Sequence, residues 1–316
     1  MWHKTTITLI YLVLALYGGG CLADTKLPKY YLELPKAKPP FPLVVIAHGC
    51  AGLSKNGQRN WQEWAKWFQE HHFATVIVDS WANRDVGNVC EMPGRLANLL
   101  LPMRVEDAYA VVADISKQHP INPEQIFLIG GSHGGRLAYE ILTPNHAQQM
   151  GEKYSVKFAG AVGLYPGCSP QMINEPTKSP LLLIVGEADD WTLPKYCYDL
   201  ARSAKFSSTP GFDIEMKSIQ GAGHSFDYYW EHITMRGVMG QGGKVGVTVG
   251  GSQAQRAEAE NLTWEFISRV INKKVSPRVS QVAVAQPSES KLQLPDIREP
   301  TEEDVRAYEK KQKPKK

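Results

Sequence analysis

Four stretches of this chain are apolar almost without interruption: Leu43 to Ala47, Ala74 to Val78, Ile126 to Ile129 and Pro180 to Val185. None alternates polar with apolar, so each reads as a strand buried on both faces, as in a parallel sheet. Phe158 to Gly163 and Phe212 to Ile219 add two further strands, and Tyr30 to Leu32 an edge strand. Between them lie segments with helical spacing. Residues 59–71 carry Trp61, Trp64, Ala65 and Phe68; residues 103–118 carry Val105, Ala108, Val112 and Ile115. Further helices are expected from Arg136 to Leu142, near Lys195 to Ala204, and from Gln255 to Asn272, with a Gly-rich loop over 237–251. Parallel strands need covering crossovers, so the pattern predicts an α/β fold with a mostly parallel, doubly wound sheet flanked by helices.

The ends differ from this core. Ile7 to Tyr17 is a short apolar run after His3 and Lys4, followed by Gly18-Gly19-Gly20-Cys21-Leu22-Ala23. Such a segment reads as a secretory signal peptide, residues 1–23, cleaved after Ala23. Acylation of Cys21 as a lipoprotein anchor and an uncleaved anchor are the alternatives. Residues 275–316 are rich in Pro, Ser and Gln and end in Lys313, Lys315 and Lys316, which reads as a disordered tail with a short helix at 301–311. The domain is therefore expected over residues 25–274. A formal net charge of +3, without a basic stripe, argues against nucleic-acid binding. Outside the signal region the chain has Cys50, Cys90, Cys168 and Cys197, which in an exported protein imply two disulfides with three possible connectivities.

The chemistry concentrates at strand ends. Ile126 to Ile129 runs into Gly130-Gly131-Ser132-His133-Gly134, and a helix follows. Gly-x-Ser-x-Gly between a strand and a helix forms a sharp turn that exposes the serine oxygen, so Ser132 is the candidate nucleophile. The His133 backbone N–H then faces a developing oxyanion. Leu43 to Ala47 ends in His48-Gly49-Cys50-Ala51-Gly52, whose Cys50 N–H is the candidate second donor, while the His48 side chain is expected to support the loop. The acid should end a later strand. Leu181 to Val185 leads into Gly186-Glu187-Ala188-Asp189-Asp190, with Asp189 favoured and Asp190 the alternative. Two histidines lie beyond that loop: His224, in Gly221-Ala222-Gly223-His224, is favoured as the base, and His232, in an expected helical turn, reads as a surface residue. A Ser132–His224–Asp189 triad acts on acyl groups with no metal or organic cofactor.

Taken together, His48 to Gly52, Gly130 to Gly135, Gly186 to Trp191 and Gly223-His224-Ser225-Phe226-Asp227 resemble the dienelactone hydrolase family of α/β hydrolases. The resemblance spans most of residues 40–270. Founding members of that family use a cysteine nucleophile, and here the position holds Ser132. That departure moves the expected substrate from dienelactone to ordinary carboxylic esters or lactones, which makes the partner a small-molecule ester.

On the fold so implied, a Cys168–Cys197 bridge would brace the acid loop and a Cys50–Cys90 bridge the oxyanion side. Trp81 and Trp191 are candidate walls of an acyl pocket, and Arg84 a candidate contact for a substrate carboxylate. The same triad would serve a peptidase or thioesterase, and a non-catalytic binding protein on the hydrolase scaffold is the reading from another class. Asn261-Leu262-Thr263 matches a glycosylation sequon within an expected helix.

Overall fold

The computed structural model describes residues 27–84, 86–174, 177–206, 214–229 and 232–273. The signal segment with Cys21, and the tail 275–316, lie outside the described residues. Strands are β1 (Lys29–Glu33), β2 (Phe41–Ala47), β3 (Ala74–Asp79), β4 (Ile121–Gly131), β5 (Gly160–Leu164), β6 (Leu181–Gly186), β7 (Ile214–Ile219), β8 (Ile233–Met239) and β9 (Val245–Val249). Helices are α1 (Lys55–Glu70), α2 (Gly94–Ala97), α3 (Leu101–Gln118), α4 (His133–Glu140), α5 (Pro144–Tyr154), α6 (Pro194–Phe206) and α7 (Gln253–Lys273).

The main sheet has the order β1-β3-β2-β4-β5-β6-β7. Antiparallel β1 closes one edge against β3, and every other pairing is parallel. Both faces are covered, so successive side chains of one strand enter different cores. Leu43, Val45 and Ala47 pack with α3 residues such as Val105 and Val112 and with Leu200 of α6. Val44 and Ile46 pack with Trp61, Trp64 and Phe68 of α1 and Phe266 and Ile267 of α7. This two-sided burial is the physical reason the strand runs are continuous rather than alternating.

Chain order reverses at β2. The chain passes from β2 to β3 on one side, then returns to lay β4 on the other. The carboxyl ends of β2 and β4 lie abreast, Ala47 opposite Gly130. In open α/β sheets this is where a ligand crevice forms.

One expectation is corrected. The Gly-rich stretch 237–251 is not a plain loop but contains most of an antiparallel hairpin, β8 paired with β9. Val245, Val247 and Val249 alternate along β9, and Val247 is fully buried. Glycines fill its turn and exit, with φ of +76° at Gly243 and +120° at Gly250, and Gly237 and Gly246 sit within the strands themselves. Their density masked a strand whose β-branched residues decide the structure.

Candidate active site

β4 meets α4 at Ser132, whose backbone sits at φ 56° and ψ −115°. A non-glycine residue here is strained, and strain of this kind persists where the surroundings over-determine it. Those surroundings are glycine-dependent. A Cβ on Gly130 would lie 2.5 Å from the Gly134 carbonyl oxygen, and one on Gly134 would overlap the Ala47 oxygen. The Ser132 N–H donates to the Leu164 carbonyl of β5 (2.9 Å), which fixes the turn above the sheet. Its side chain is half-buried and faces a cavity of about 550 Å³.

Two strands further, the turn after β6 holds Asp189. Its Oδ1 accepts from the backbone N–H groups of Trp191 and Thr192, both at 2.9 Å. Its Oδ2 accepts from Thr192 Oγ1 (2.9 Å) and lies 2.8 Å from His224 Nδ1. A carboxylate at that distance places the proton on Nδ1 and leaves Nε2 with a lone pair. Nε2 is buried and has no hydrogen-bond partner. His224 is held on its far side by Gly250, whose N–H donates to its carbonyl (2.9 Å). Trp191 and Tyr165 flank the ring, with centroids 4.6 and 4.8 Å away. Asp190 points elsewhere, to Lys244 Nζ (2.6 Å) and the Thr248 N–H (2.9 Å). Thus the structure joins Asp189 with His224 and sets Ser132 on the same sheet edge, without a hydrogen bond between Ser132 and His224. His232 is exposed ahead of β8.

The loop after β2 lies against the serine: a Cβ on Gly49 would stand 3.7 Å from Ser132 Cβ. Neither the Cys50 nor the His133 backbone N–H has an acceptor among the described residues. Behind them is a polar cluster. His48 is fully buried, and its Nε2 accepts from the Ser80 N–H (3.1 Å). Arg104 gives Nη2 to the His48 carbonyl (2.6 Å) and Nη1 to His133 Nδ1 (2.6 Å), while His133 Nε2 donates to the Ala97 carbonyl (3.0 Å). Burial, and then the Arg104 charge, push His133 down to about 3 and His48 well below the usual histidine range. Both imidazoles are therefore neutral supports.

Both disulfides are formed in the paired sense, Cys50 with Cys90 and Cys168 with Cys197. Cys50, Cys90 and Cys168 line the cavity, together with Trp191 and Met239. Two pocket expectations are corrected. Trp81 does not line the cavity; it packs beneath the loop, donating Nε1–H to the Cys50 carbonyl (3.2 Å) and filling the space beside Gly52, where a Cβ would lie 2.6 Å from the ring. Arg84 does not offer itself to a substrate; it grips Asp107 through two bonds of 2.5 and 2.6 Å and the Ser80 carbonyl at 3.0 Å. Asp107 is buried and needs that cation.

Arg104, Thr192 and Tyr165 were not singled out from the sequence. Arg104 carried a signal: it precedes Ala108 and Val112 at four-residue spacing, on the apolar face of α3. Thr192 carried none beyond a hydroxyl near the acid. Among the described residues no group of three or more His, Cys, Asp or Glu could hold a metal ion.

A family model described as the alpha/beta hydrolase fold matches residues 98–221. With the sheet order and the serine turn, the chain has the α/β-hydrolase fold. Similar solved structures include a Klebsiella pneumoniae protein assigned as a dienelactone hydrolase (TM-score 0.55, 13% identity, covering 76% of this chain and 92% of that one). Thermogutta terrifontis esterase 2 phosphorylated by paraoxon has a TM-score of 0.53 and 16% identity over 76% of this chain and 88% of its own. A promiscuous dienelactone hydrolase-like phosphotriesterase from metagenomic libraries has a TM-score of 0.51 and 17% identity over 76% and 92%. At such identities the likeness is one of fold. A search of curated proteins finds no match to the sequence.

Proposed function

We propose that this chain is an exported serine hydrolase that cleaves carboxylic esters or lactones through Ser132, His224 and Asp189. The observation that carries the reading is the Asp189–His224 pair, whose buried Nε2 is left without a partner on the same edge as the strained Ser132. In the reaction, Ser132 Oγ attacks the acyl carbon while His224 Nε2 takes its proton. Asp189 holds the imidazole with Nδ1 protonated and stabilises the imidazolium. The carbonyl oxygen becomes an oxyanion, received by the N–H groups of Cys50 and His133. His224 returns the proton to the leaving alcohol, or to the alkoxide of an opened lactone. Water, activated by the same imidazole, then releases the acid from the acyl-enzyme. No Ser132–His224 hydrogen bond is formed here; such a bond is of the kind that is often long without substrate and tightens with it.

The cavity, lined by Met92, Trp191 and Met239 among others, suits a small apolar acyl or alcohol group. Export rests on residues 1–23, and the two disulfides are consistent with an extracellular location. Lipid attachment at Cys21 is the alternative form of export. No helix among the described residues is long and apolar enough to cross a membrane.

The test is labelling by a fluorophosphonate, an electrophile of the same type as the paraoxon used on the Thermogutta esterase. The wild type should label and hydrolyse p-nitrophenyl esters, and Ser132→Ala should do neither. A wild type inert to both reagents would favour a binding protein.

A further inference from the structure

Arg104 is about as buried as any side chain in the molecule, 1% exposed, yet it forms no ion pair among the described residues. The carboxylate three residues on, Asp107, is already taken by Arg84. Arg104 instead spends its donors on neutral groups, the His48 carbonyl and His133 Nδ1, and lays its guanidinium over the Trp81 ring at 5.0 Å. Its Nε is buried without a partner. Asp107 and Asp79 are near enough to favour its charge but neither hydrogen-bonds it; a cation so stripped of water is costly, and a neutral side chain of like size would fill the space more cheaply. Such a charge makes sense where an anion forms beside it.

We propose that Arg104 is a positioning residue whose buried charge stabilises the oxyanion held by Cys50 and His133. The inference rests on the triad reading above. Arg104 touches both arms of the proposed oxyanion site: the side chain of His133, whose N–H is one donor, and the His48 carbonyl at the root of the loop bearing the other. Because Arg104 is itself buried, its charge is screened less than one in solvent, and it acts most when negative charge develops beside it. Burial lowers the Arg104 pKa to about 9, which leaves it charged at neutral pH. Burial first, and then the same charge, keeps the imidazoles of His48 and His133 neutral.

Arg104→Gln keeps hydrogen-bond donors and removes the charge; Arg104→Lys keeps the charge. Each is compared with the wild type for kcat and KM on a p-nitrophenyl ester, and for Ki of a trifluoromethyl ketone whose adduct with Ser132 bears an oxyanion. Arg104→Gln should lower kcat and raise Ki together by about ten- to a hundredfold, less than the loss of a direct donor, with KM within about threefold. Arg104→Lys should recover most of both. Wild-type kcat and Ki in Arg104→Gln, or equal losses in the two variants, would overturn the proposal. If Arg104→Gln does not fold, Arg104→Lys decides: a Ki within about tenfold of wild type supports the role of charge, and a larger loss overturns it. Failure of the triad reading looks different, since the fluorophosphonate would then not label the wild type, or would still label Ser132→Ala.

Discussion

Two adjacent carboxylates at the end of β6 do unlike work. Asp189 is 4% exposed and wrapped by two N–H groups, a hydroxyl and an imidazole, whereas Asp190 faces Lys244 at the surface. Asp189→Asn should lower kcat by about four orders of magnitude, since an amide cannot hold the imidazole tautomer. Asp190→Ala loses a partly exposed pair with Lys244 and a bond from the Thr248 N–H, and should cost about 1 kcal/mol of stability with kcat within about threefold. Steady-state kinetics of the two variants check this; equal losses would contradict it. His133 supplies a pH prediction. Unfolded, it takes up a proton near 6.5, and folded only near about 3. Between those values the unfolded chain binds more protons, so stability is full above about pH 6.5 and drains as pH falls, by up to about 1.4 kcal/mol per unit. Urea midpoints from pH 7 to 4 should fall less steeply in His133→Asn than in the wild type. Ser132, His224 and the aspartate pair are legible in the sequence as candidates because they stand at strand ends, and the structure brings Asp189 and His224 together there. Sequence reading misplaces Arg84 and Trp81, because their roles depend on Asp107 and Gly52, which approach them only in three dimensions.

The hairpin β8–β9, read from the sequence as a loop, borders the candidate site. Gln241 in its turn accepts from the Leu193 N–H (2.8 Å), donates to the Cys168 carbonyl (2.9 Å), and through its own N–H bonds the Trp191 carbonyl (2.9 Å). One residue thus ties the acid loop to the disulfide loop beside the cavity. Gln241→Ala leaves the Leu193 N–H and the Cys168 carbonyl unpaired and should cost about 2 kcal/mol. Thermal melts and kcat should fall together, because the loop that aims Asp189 loosens. An unchanged melting temperature would show that the hairpin is not fastened there. By contrast, β2, β3 and β6 are legible to within two residues, since burial on both faces writes itself as an unbroken apolar run; of β4 only the buried Ile126 to Ile129 is, because its first half, with Pro123 and Glu124 exposed, lacks such a run. α5 was missed: it has no fully buried residue and so no apolar face to detect.

At the scale of the whole molecule, the site is a rim built on the carboxyl ends of β2, β4, β6 and β7, and two covalent links brace it. Each closes a loop of moderate length, with sequence separations of 40 and 29 residues. On the chain-entropy model each contributes about 3–4 kcal/mol. A Cys168→Ala, Cys197→Ala double variant should lose about that much in denaturant unfolding, with the denaturant midpoint lowered accordingly. A loss under about 1 kcal/mol would mean that the reduced loop is already ordered by its packing. The loop from Cys50 to Cys90 ends well before the one from Cys168 to Cys197 begins, so the two neither nest nor cross. Each described cysteine is joined to its immediate neighbour in chain order. Machinery that oxidises thiols one after another, as they emerge through a pore, would reach this connectivity by taking them as they come, with no wrong pair to unpick.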